Sequence, residues 1–370
     1  MPLSHSTPLL IVAGTRPEAL KLLPLAEALT LPAIWCWTGQ QGNKPPECLH
    51  LPWHELPPPA HPLRRRQLEQ TLIEHLLAFM LQHRPQAVLV QGDTVSAYAG
   101  ARAAEQLGLP LIHLEAGLRS GDLRAPFPEE AYRRLISRLA RWHLAPSTRA
   151  AAQLRCEGVA SAQIHVVGST AVDGLRVRPL PPASDSYHLL VDVHRRENAG
   201  RALDRLALGL RALARSGWRI GVCAHPNRSW EQRWSQALGP NHGLKRLPPQ
   251  NREQWLALAQ SARGVLSDSG GAAEELPYLG VPLLLYRRRS ERPESLESGH
   301  ARWLDPRAVG DLDGVIERAL DQGRWPAAWP LSVDSPYGDG RAGARAAAAI
   351  HACLGLRPNR SVTQPQLQSA

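Results

Sequence analysis

Short apolar runs alternate with longer, helix-patterned segments along most of this chain. The clearest strand candidates are residues 9–14, 87–92, 111–117, 164–168, 188–194, 219–225, 264–269 and 281–286. Most of these runs are apolar on both faces, as parallel strands covered by helices are. Segments 94–108 and 197–217 carry helical patterns between them. The alternation predicts an α/β protein with doubly wound parallel sheets.

The chain is long enough to need two domains. It has 370 residues, and a single hydrophobic core rarely grows beyond about 250–300 residues. The segment 176–187, RVRPLPPASDSY, has three prolines and no apolar period, so it is the predicted linker. We therefore predict domains over 1–175 and 188–340, a terminal helix over 341–356 and a flexible tail over 357–370. The proline-rich stretch 51–66 is predicted to be an irregular surface loop.

Composition limits the partners of the chain. The formal net charge is +10, but the arginines are scattered and no basic block alternates with aromatic residues, so nucleic acid is not expected. A small polyanion fits better, because arginine binds phosphate through a rigid fork of donors. No apolar run approaches the roughly 18–20 residues of a membrane helix. The N-terminus lacks a signal-peptide pattern, and the five cysteines form no CxxC pair, so we expect no membrane association and a reduced cytoplasm.

The first strand ends in GTRPEALK, residues 14–21. Gly14 allows a sharp turn and Pro17 suits the first turn of a helix. Arg16 and Lys21 flank the N-terminus of that helix, which is a natural anion site. A capped helix with solvated charges is the alternative.

Three acids in the first half are predicted to lie at the C-terminal edge of one sheet. Asp93 comes after the run 87–92, Glu115 lies near the end of the run 111–117, and Glu129 follows in PFPEE. Acids gathered at one sheet edge repel one another, which raises some of their pKa values and suits proton transfer. As alternatives, Asp93 or Thr94 caps the next helix, or the acids form salt bridges to nearby arginines.

The second half carries two polar turns after strands. His194 ends the run 188–194 and is followed by two arginines. SDSGGAAEE, residues 267–275, follows a strand and opens a helix, so Gly270 and Gly271 can bring backbone N–H groups close to a phosphate, and Ser269 adds a hydroxyl. No Walker A or GxGxxG motif, metal-ligand spacing or Ser–His–Asp set is legible. We expect neither a metal nor a cofactor.

Taken in order, the motifs resemble the non-hydrolysing UDP-N-acetylglucosamine 2-epimerase family. The matching pieces, between about residues 11 and 350, are GTRPEALK, VQGDTVS, HLEAGLRSGD, PFPEE, VGSTAVD, HRREN, SDSGGAAEE, SERPE and SPYGDGRAGAR. The resemblance implies two Rossmann-like doubly wound domains of the glycosyltransferase-B type that face a cleft with the active site. It also implies a C-terminal helix that crosses back to the first domain, and a homodimer.

The resemblance implies a role for each site residue. The expected catalytic residues are Asp93, Glu115, Glu129 and His194. The expected substrate contacts are Arg16, Lys21 and His194 at the phosphates, Ser269, Gly270 and Gly271 at the diphosphate, Glu275 at the ribose, Arg292 elsewhere on UDP, and Gln250 and Trp255 at the uracil.

The implied reaction explains why acids and cations occur together. UDP leaves C1 of the sugar, a carboxylate removes the C2 proton to give 2-acetamidoglucal, and re-addition delivers a proton to the other face of C2. The alternatives are epimerisation of a related UDP-2-acetamido sugar, a hydrolysing 2-epimerase and a UDP-sugar glycosyltransferase of the same fold. A non-catalytic UDP-sugar sensor and an RNA-binding protein belong to other classes of function.

The sequence departs from the family pattern at several positions. The segment 38–50 lacks the usual Gln-His pair, which puts allosteric binding of a second UDP-N-acetylglucosamine in doubt. Tyr132 and Ser169 replace asparagines, and His300 replaces a small hydroxyl residue. These changes leave the three acids in place.

Overall fold

The computed structural model describes residues 7–40, 44–46, 51–58, 63–176, 180–224, 228–239, 243–308, 310–321 and 323–355. The first half contains β1 (Leu9–Ala13), α1 (Arg16–Ala28), β2 (Ala33–Trp37), β3 (Trp53–Glu55), α2 (Arg65–His83), β4 (Ala87–Gln91), α3 (Val95–Gln106), β5 (Leu111–Leu114), α4 (Glu129–Leu139), β6 (Trp142–Ala145), α5 (Thr148–Cys156), β7 (Ile164–Val166) and α6 (Thr170–Asp173). The second half contains β8 (Leu189–Asp192), α7 (Arg201–Arg215), β9 (Ile220–Cys223), α8 (Arg228–Leu238), β10 (Leu244–Leu247), α9 (Arg252–Ser261), β11 (Val265–Ser267), α10 (Gly270–Leu279), β12 (Leu283–Tyr286), α11 (Glu294–Glu297), β13 (Ala301–Leu304), α12 (Leu312–Asp321) and α13 (Ala342–Cys353).

The chain divides into two units by its internal contacts. Unit 1 comprises Met1–Leu118, Phe127–Gly174 and Pro336–Ala370, and unit 2 comprises Arg119–Pro126 and Leu175–Ser335. The predicted boundaries at 175, 188 and 340 stay predictions, and the predicted tail, 357–370, lies outside the described residues.

The sheet of unit 1 is parallel, with the strand order β3-β2-β1-β4-β5-β6-β7. Its central strands are buried on both faces: every residue of β1 and of β4 is buried. One apolar cluster covers each face, one built around Leu22 and Leu25 of α1 and the other around Leu72 and Leu76 of α2. From β1 the chain first adds strands β2 and β3 on one side and then adds β4 to β7 on the other, so the strand order reverses between β1 and β4. Open α/β sheets bind their ligands at such a switch point.

The sheet of unit 2 repeats this plan with the order β10-β9-β8-β11-β12-β13, again parallel. Its switch point lies between β8 and β11. Two clusters cover its faces, one around Leu206 and Leu210 of α7 and the other around Leu276 of α10. The predicted class, α/β with two doubly wound Rossmann-like units, is confirmed.

The eight predicted strands all occur, each within its predicted run. The predicted helix 94–108 is α3, whereas 197–217 divides into a short 3-10 turn and α7. The prediction of an irregular loop over 51–66 was wrong at both ends of that range, and residues 59–62 lie outside the described part of the chain. Trp53–Glu55 pairs in parallel with β2, Leu56 is buried, and α2 begins at Arg65. The ring of Trp53 packs edge-on against Trp35 and Trp37 and supplies the apolar contact of this strand. The prolines around it led to the prediction of a loop.

The last helix, α13, packs on α1 within unit 1. Its first two backbone N–H groups, those of Ala342 and Gly343, donate to the carboxylate of Asp173 at 2.8 and 2.7 Å. Because a helix N-terminus has backbone donors without intrahelical partners, a buried acid is a strong cap. Asp173 thereby joins α6 to a helix about 170 residues later in the chain.

Candidate functional site

The candidate site residues of unit 1 follow β1, β4 and β5 at the carboxyl edge of the sheet. Thr15 caps α1, and Gly14 before it has no room for a side chain, because a Cβ there would overlap the hydroxyls of Ser96 and Thr38. Those hydroxyls lie 2.5 Å apart. The ends of β1, β2 and β4 are therefore held together around Gly14. Arg16, the first residue of α1, is exposed.

Lys21 and Glu115 form an ion pair of 2.6 Å between the Nζ and Oε2 atoms. Gln91, the last residue of β4, donates from Nε2 to the same carboxylate oxygen. Glu115 has a φ of +66°, and a non-glycine residue in this left-handed region stores backbone strain that often marks a functional position. The resemblance assigned Lys21 to the phosphates of a substrate; the structure pairs it with an acid.

Asp93 follows β4 and bonds to the buried guanidinium of Arg133, with 2.5 Å between Oδ2 and Nη2. Arg133 also contacts Glu130 at 3.2 Å, so it connects the β4 turn to the beginning of α4. Glu129 is the first residue of α4. Asp93 and Glu115 therefore lie on the turns after β4 and β5, and Glu129 begins the helix that leads from β5 to β6. The alternatives left open by the sequence also hold, since Asp93 forms a salt bridge and Thr94 caps α3.

Glu18 has the raised pKa expected of an acid in such a site, although the sequence analysis did not single it out. Burial raises the pKa of Glu18 to about 7, against the opposing effect of hydrogen bonds from Thr15, Thr94 and the N–H of Gly14. Its partner Thr94 lies 76 residues away. No local sequence signal reveals a contact of that kind.

His194 of unit 2 lies beyond β8, between two carboxylates. Its Nδ1 atom is 3.3 Å from Asp192 and 3.7 Å from Asp268, and its backbone N–H donates to Asp268 at 3.1 Å. Burial and the charge of Arg195 lower the pKa of His194, but the two carboxylates outweigh them and raise it to about 9. The imidazole is therefore a cation at neutral pH.

Helix α10 begins at Gly270, and the hydroxyl of its N-cap residue, Ser269, makes no capping hydrogen bond. A Cβ on Gly270 would lie 2.5 Å from Nη1 of Arg292, so this guanidinium packs directly against the helix N-terminus. Arg292 is buried and bonds to Glu274 and Glu291. A cation fixed beside the positive end of a helix makes a place where an anion is stabilised.

The remaining predicted contacts lie around α9 and α10. Glu275 accepts from Arg252, with 2.8 Å from Nε, and Arg252 was missed by the sequence analysis. Gln250 donates to the carbonyl of Pro248 at 2.7 Å. Within the described residues the indole N–H of Trp255 is buried without a hydrogen-bond partner, although its ring packs on the core of unit 2.

Three of the four departures from the family pattern are single residues, and each has local partners. Tyr132 stacks on Tyr98 at 4.8 Å and donates to Glu69. Ser169 caps α6 through the N–H of Ala171. His300 bonds to Ser298 and to the carbonyl of Ala327. Much of the altered segment 38–50, namely 41–43 and 47–50, lies outside the described residues.

The described part of the chain has neither a cluster of metal-ligating side chains nor a candidate membrane-spanning helix. No group of three or more His, Cys, Asp or Glu side chains there has the arrangement of a metal site. None of the helices resolved there combines the length and apolar character needed to cross a bilayer.

Several known proteins that are similar to this chain over most of its length are named UDP-N-acetylglucosamine 2-epimerase. The family described as UDP-N-acetylglucosamine 2-epimerase matches residues 55–351. The UDP-N-acetylglucosamine 2-epimerase of Escherichia coli K12 is 31% identical over 368 residues, covering 92% of this chain and 97% of its own. S. aureus MnaA, in a co-structure with UDP, superposes with a TM-score of 0.79 at 28% identity, covering 97% and 100% of the two chains. The Methanocaldococcus jannaschii UDP-GlcNAc 2-epimerase, in complex with UDP-GlcNAc and UDP, gives 0.79 at 27% identity, covering 93% and 99%.

Proposed function

The chain belongs to the UDP-N-acetylglucosamine 2-epimerase family, a family of isomerases, and we propose that it interconverts UDP-N-acetylglucosamine and UDP-N-acetylmannosamine at C2 without hydrolysis. The observation that carries this proposal is that one chain has both groups suited to binding an anion and carboxylates suited to proton transfer. In unit 2 the guanidinium of Arg292 packs against the N-terminus of α10, a helix end that suits an anion, and unit 1 has carboxylates on the turns after β4 and β5 and at the start of α4.

The anion site would bind the diphosphate of UDP. Ser269, Gly270 and Gly271 present a hydroxyl and backbone N–H groups at the N-terminus of a ten-residue helix, with Arg292 packed beside it. The two acids that hold Arg292 fix its position before any ligand binds. A fixed cation stabilises charge that develops on a leaving group without reorganisation.

His194 would assist the same leaving group. Its pKa of about 9 keeps it protonated at neutral pH, so it can donate to an oxygen of the departing diphosphate. Asp268 fixes the backbone at His194 and directly precedes Ser269. One buried acid thus links the imidazolium to the anion site.

The nucleoside would be held between α9 and α10. Trp255 offers a flat ring to the uracil, Gln250 an amide for its polar edge, and Glu275 an acceptor for the ribose hydroxyls. Arg252 already orients Glu275 through its Nε atom.

The carboxylates of unit 1 would handle the proton on C2. The C2–H bond of a sugar is barely acidic, so a carboxylate alone could hardly break it. When the C1–O bond breaks and its electron pair leaves with UDP, positive charge at C1 weakens the neighbouring C2–H bond. Asp93, Glu115 and Glu129 can balance that charge and accept the proton. Arg16 and Lys21 would approach the phosphates from this side.

The proposed path is anti-elimination followed by re-addition. The electron pair of the C2–H bond forms the C1=C2 double bond of 2-acetamidoglucal, and the proton moves to a carboxylate. UDP then re-adds at C1 while a second acid delivers a proton to the opposite face of C2. Because two faces of one carbon must be served, more than one acid is needed.

The products distinguish this path from its alternatives. Purified protein is incubated with UDP-N-acetylglucosamine, and the sugars are resolved by proton and phosphorus NMR. We expect an equilibrium mixture of the two UDP sugars. Free N-acetylmannosamine with stoichiometric UDP would instead identify a hydrolysing enzyme. Unchanged substrate would contradict the proposal, and the assay would then turn to related UDP-2-acetamido sugars and to acceptor sugars for glycosyl transfer.

We further propose that the enzyme is a cytoplasmic homodimer that supplies an activated mannosamine sugar for polysaccharide biosynthesis. The family resemblance supports this proposal. Size-exclusion chromatography with light scattering tests the dimer, since a mass of 40.6 kDa would instead indicate a monomer.

A further inference from the structure

We propose that Glu18 is a positioning residue for the epimerisation, because its buried carboxylate joins the β1–α1 turn, which leads into the helix of Arg16 and Lys21, to the β4–α3 turn, which carries Asp93. This inference rests on the proposed function. It adds a residue that neither the resemblance nor the sequence motifs assigned to the site.

Three donors from two turns converge on Glu18. Its Oε2 atom accepts from the hydroxyl of Thr15 at 2.7 Å and from the N–H of Gly14 at 3.2 Å. Its Oε1 atom accepts from the hydroxyl of Thr94 at 2.7 Å. One oxygen therefore binds the β1–α1 turn and the other binds the β4–α3 turn. Since β1 and β4 are neighbours at the switch point, the carboxylate spans the place where the sheet is expected to bind its ligand.

Both hydroxyls also cap a helix. Thr15 accepts from the N–H of Glu18, and Thr94 accepts from the N–H of Ala97 at 3.1 Å. The carboxylate thus fixes the rotamers of two N-cap side chains, and with them the first turns of α1 and α3. Asp93 directly precedes one cap, and Arg16 directly follows the other. A shift of the Glu18 carboxylate would therefore change the distance between Arg16 and Asp93, which are proposed to act on one substrate.

Glu18 cannot act on the substrate itself, because only 2% of its surface is exposed. A buried carboxylate is also an expensive way to cap one helix, since an exposed acid at the same position serves equally well. Burial raises the pKa of Glu18 to about 7, which shows that the charged form is disfavoured here. The burial of Glu18 is explained if the carboxylate also joins the two turns, because only a buried side chain reaches both.

Unit 2 repeats the arrangement with different residues. Asp268, which follows β11, accepts from the N–H groups of His194 and Arg195, which follow the neighbouring strand β8. Asp268 is fully buried as well. Each unit therefore has one buried acid that ties the two turns at its switch point, and each tie lies beside groups proposed to act in the reaction.

The test compares Glu18→Gln with Glu27→Gln, which makes the same change at an exposed position of α1. The amide oxygen of glutamine can still accept from one turn, but its N–H groups face the other turn, where the hydroxyl can no longer donate to residue 18 and the contact is weakened. Because misplacing reacting groups by about 1 Å can cost about 100-fold in rate, we expect kcat to fall about 30- to 100-fold. The KM and the Kd of UDP should change less than about 3-fold, and Glu27→Gln should match the parent protein.

A second pair tests the same tie from the other turn. Thr94→Ser keeps the hydroxyl and should retain activity, whereas Thr94→Val removes it and should reproduce the loss of kcat. If Glu18→Gln folds poorly, these two Thr94 variants test whether the contact between Glu18 and the β4–α3 turn supports kcat. A kcat of Glu18→Gln within about 2-fold of the parent, or equal activity of Thr94→Val and Thr94→Ser, would overturn the inference.

Hydrogen exchange separates this inference from the proposed function. If the tie exists, the amides of residues 15–22 and 95–99 exchange faster in Glu18→Gln than in Glu27→Gln, whatever reaction the protein catalyses. A parent protein that fails to epimerise would contradict the proposed function, while unchanged exchange in both segments would contradict the tie.

Discussion

Nζ of Lys21 lies 2.6 Å from Oε2 of Glu115, although 94 residues separate the two in the chain. The pair joins α1 to the end of β5 and is largely buried, with side-chain exposures of 19% and 14%. Family resemblance assigns the lysine to the phosphates and the glutamate to proton transfer. The contact indicates that the lysine also holds an acid that we expect to handle the C2 proton.

Replacement of Lys21 by methionine tests that dual role. Removing one partner of a buried ion pair leaves the other charge uncompensated, so Glu115 should lose its orientation and kcat should fall about 100-fold. The Kd of UDP, measured by calorimetry, should weaken as well, by about 10-fold, because a hydrogen bond to a charged group contributes about 1.5–3 kcal/mol. The control is Lys245→Met, at an exposed lysine of unit 2. A large loss of UDP affinity with kcat unchanged would assign Lys21 to the phosphates alone.

The acids of unit 1 should be separable from UDP binding. Asp93→Asn and Glu115→Gln remove the proton acceptors with little change of shape, so each should lower kcat by about 1,000-fold or more, in line with the loss of general acid–base catalysis. UDP affinity should stay within about 3-fold of the parent value. Glu105→Gln, at an exposed position of α3, is the matched control. Near-normal turnover in either variant would remove that acid from the reaction.

The charge of His194 predicts how UDP binding depends on pH. Its pKa of about 9 lies above the ordinary value of 6.5, so the imidazolium persists through neutral pH and is lost as the pH rises through about 9. The Kd of UDP should therefore be nearly constant between about pH 7 and 8 and should rise above about 9. Asp192→Asn removes a carboxylate that raises this pKa and should move the break to lower pH.

The same shift predicts a change in stability. A group whose pKa is raised on folding stabilises the folded protein fully below its unfolded pKa, here about 6.5, and the contribution disappears as the pH rises to about 9. Between these values the thermal stability of the parent should fall relative to that of His194→Gln. Parallel pH profiles for the two proteins would contradict the charged state assigned to His194.

Glu275 should distinguish UDP from an analogue without ribose hydroxyls. A hydrogen bond to a charged acceptor contributes about 1.5–3 kcal/mol, so the parent protein should prefer UDP over 2′,3′-dideoxy-UDP by about 10-fold or more. Glu275→Gln should reduce this preference to about 2-fold. Glu253→Gln, exposed on α9, should keep it. An unchanged preference in Glu275→Gln would show that the carboxylate serves Arg252 alone.

The clearest of the predicted strands are buried on both faces, as the central strands of a parallel sheet are. Runs such as LLIVA and AVLVQ are buried along their whole length, so their pattern is continuous and apolar. Five strands in the described part of the chain, β2, β3, β6, β10 and β13, were not predicted, and three of them lie at the edge of a sheet. In β10, LKRL, two cations separate the apolar residues, and in β13, ARWL, the arginine and tryptophan are not buried. An edge strand is covered by less of the protein, so its sequence carries less of the apolar signal.

The site residues that could be predicted from the sequence are those at or directly after the end of a strand. Asp93, Glu115 and His194 were found in this way, because the ends of parallel strands mark ligand sites whatever their partners are. Glu18, Asp268 and Arg252 were missed, and Arg133 was expected only as one of several possible salt-bridge partners of the acids. Each acts through a contact with a residue at least 23 positions away, and that distance carries no periodic signal. The buried partners that orient a site are decided by tertiary packing.

Deuterium incorporation at C2 tests the central claim most directly. The parent protein is incubated with UDP-N-acetylglucosamine in D2O, and the C2 proton is followed by NMR as the UDP sugars equilibrate. Transfer of this proton to and from side-chain acids predicts that deuterium enters C2 at a rate comparable with the formation of UDP-N-acetylmannosamine. Epimerisation that retains the original hydrogen at C2 would contradict proton exchange by Asp93, Glu115 or Glu129.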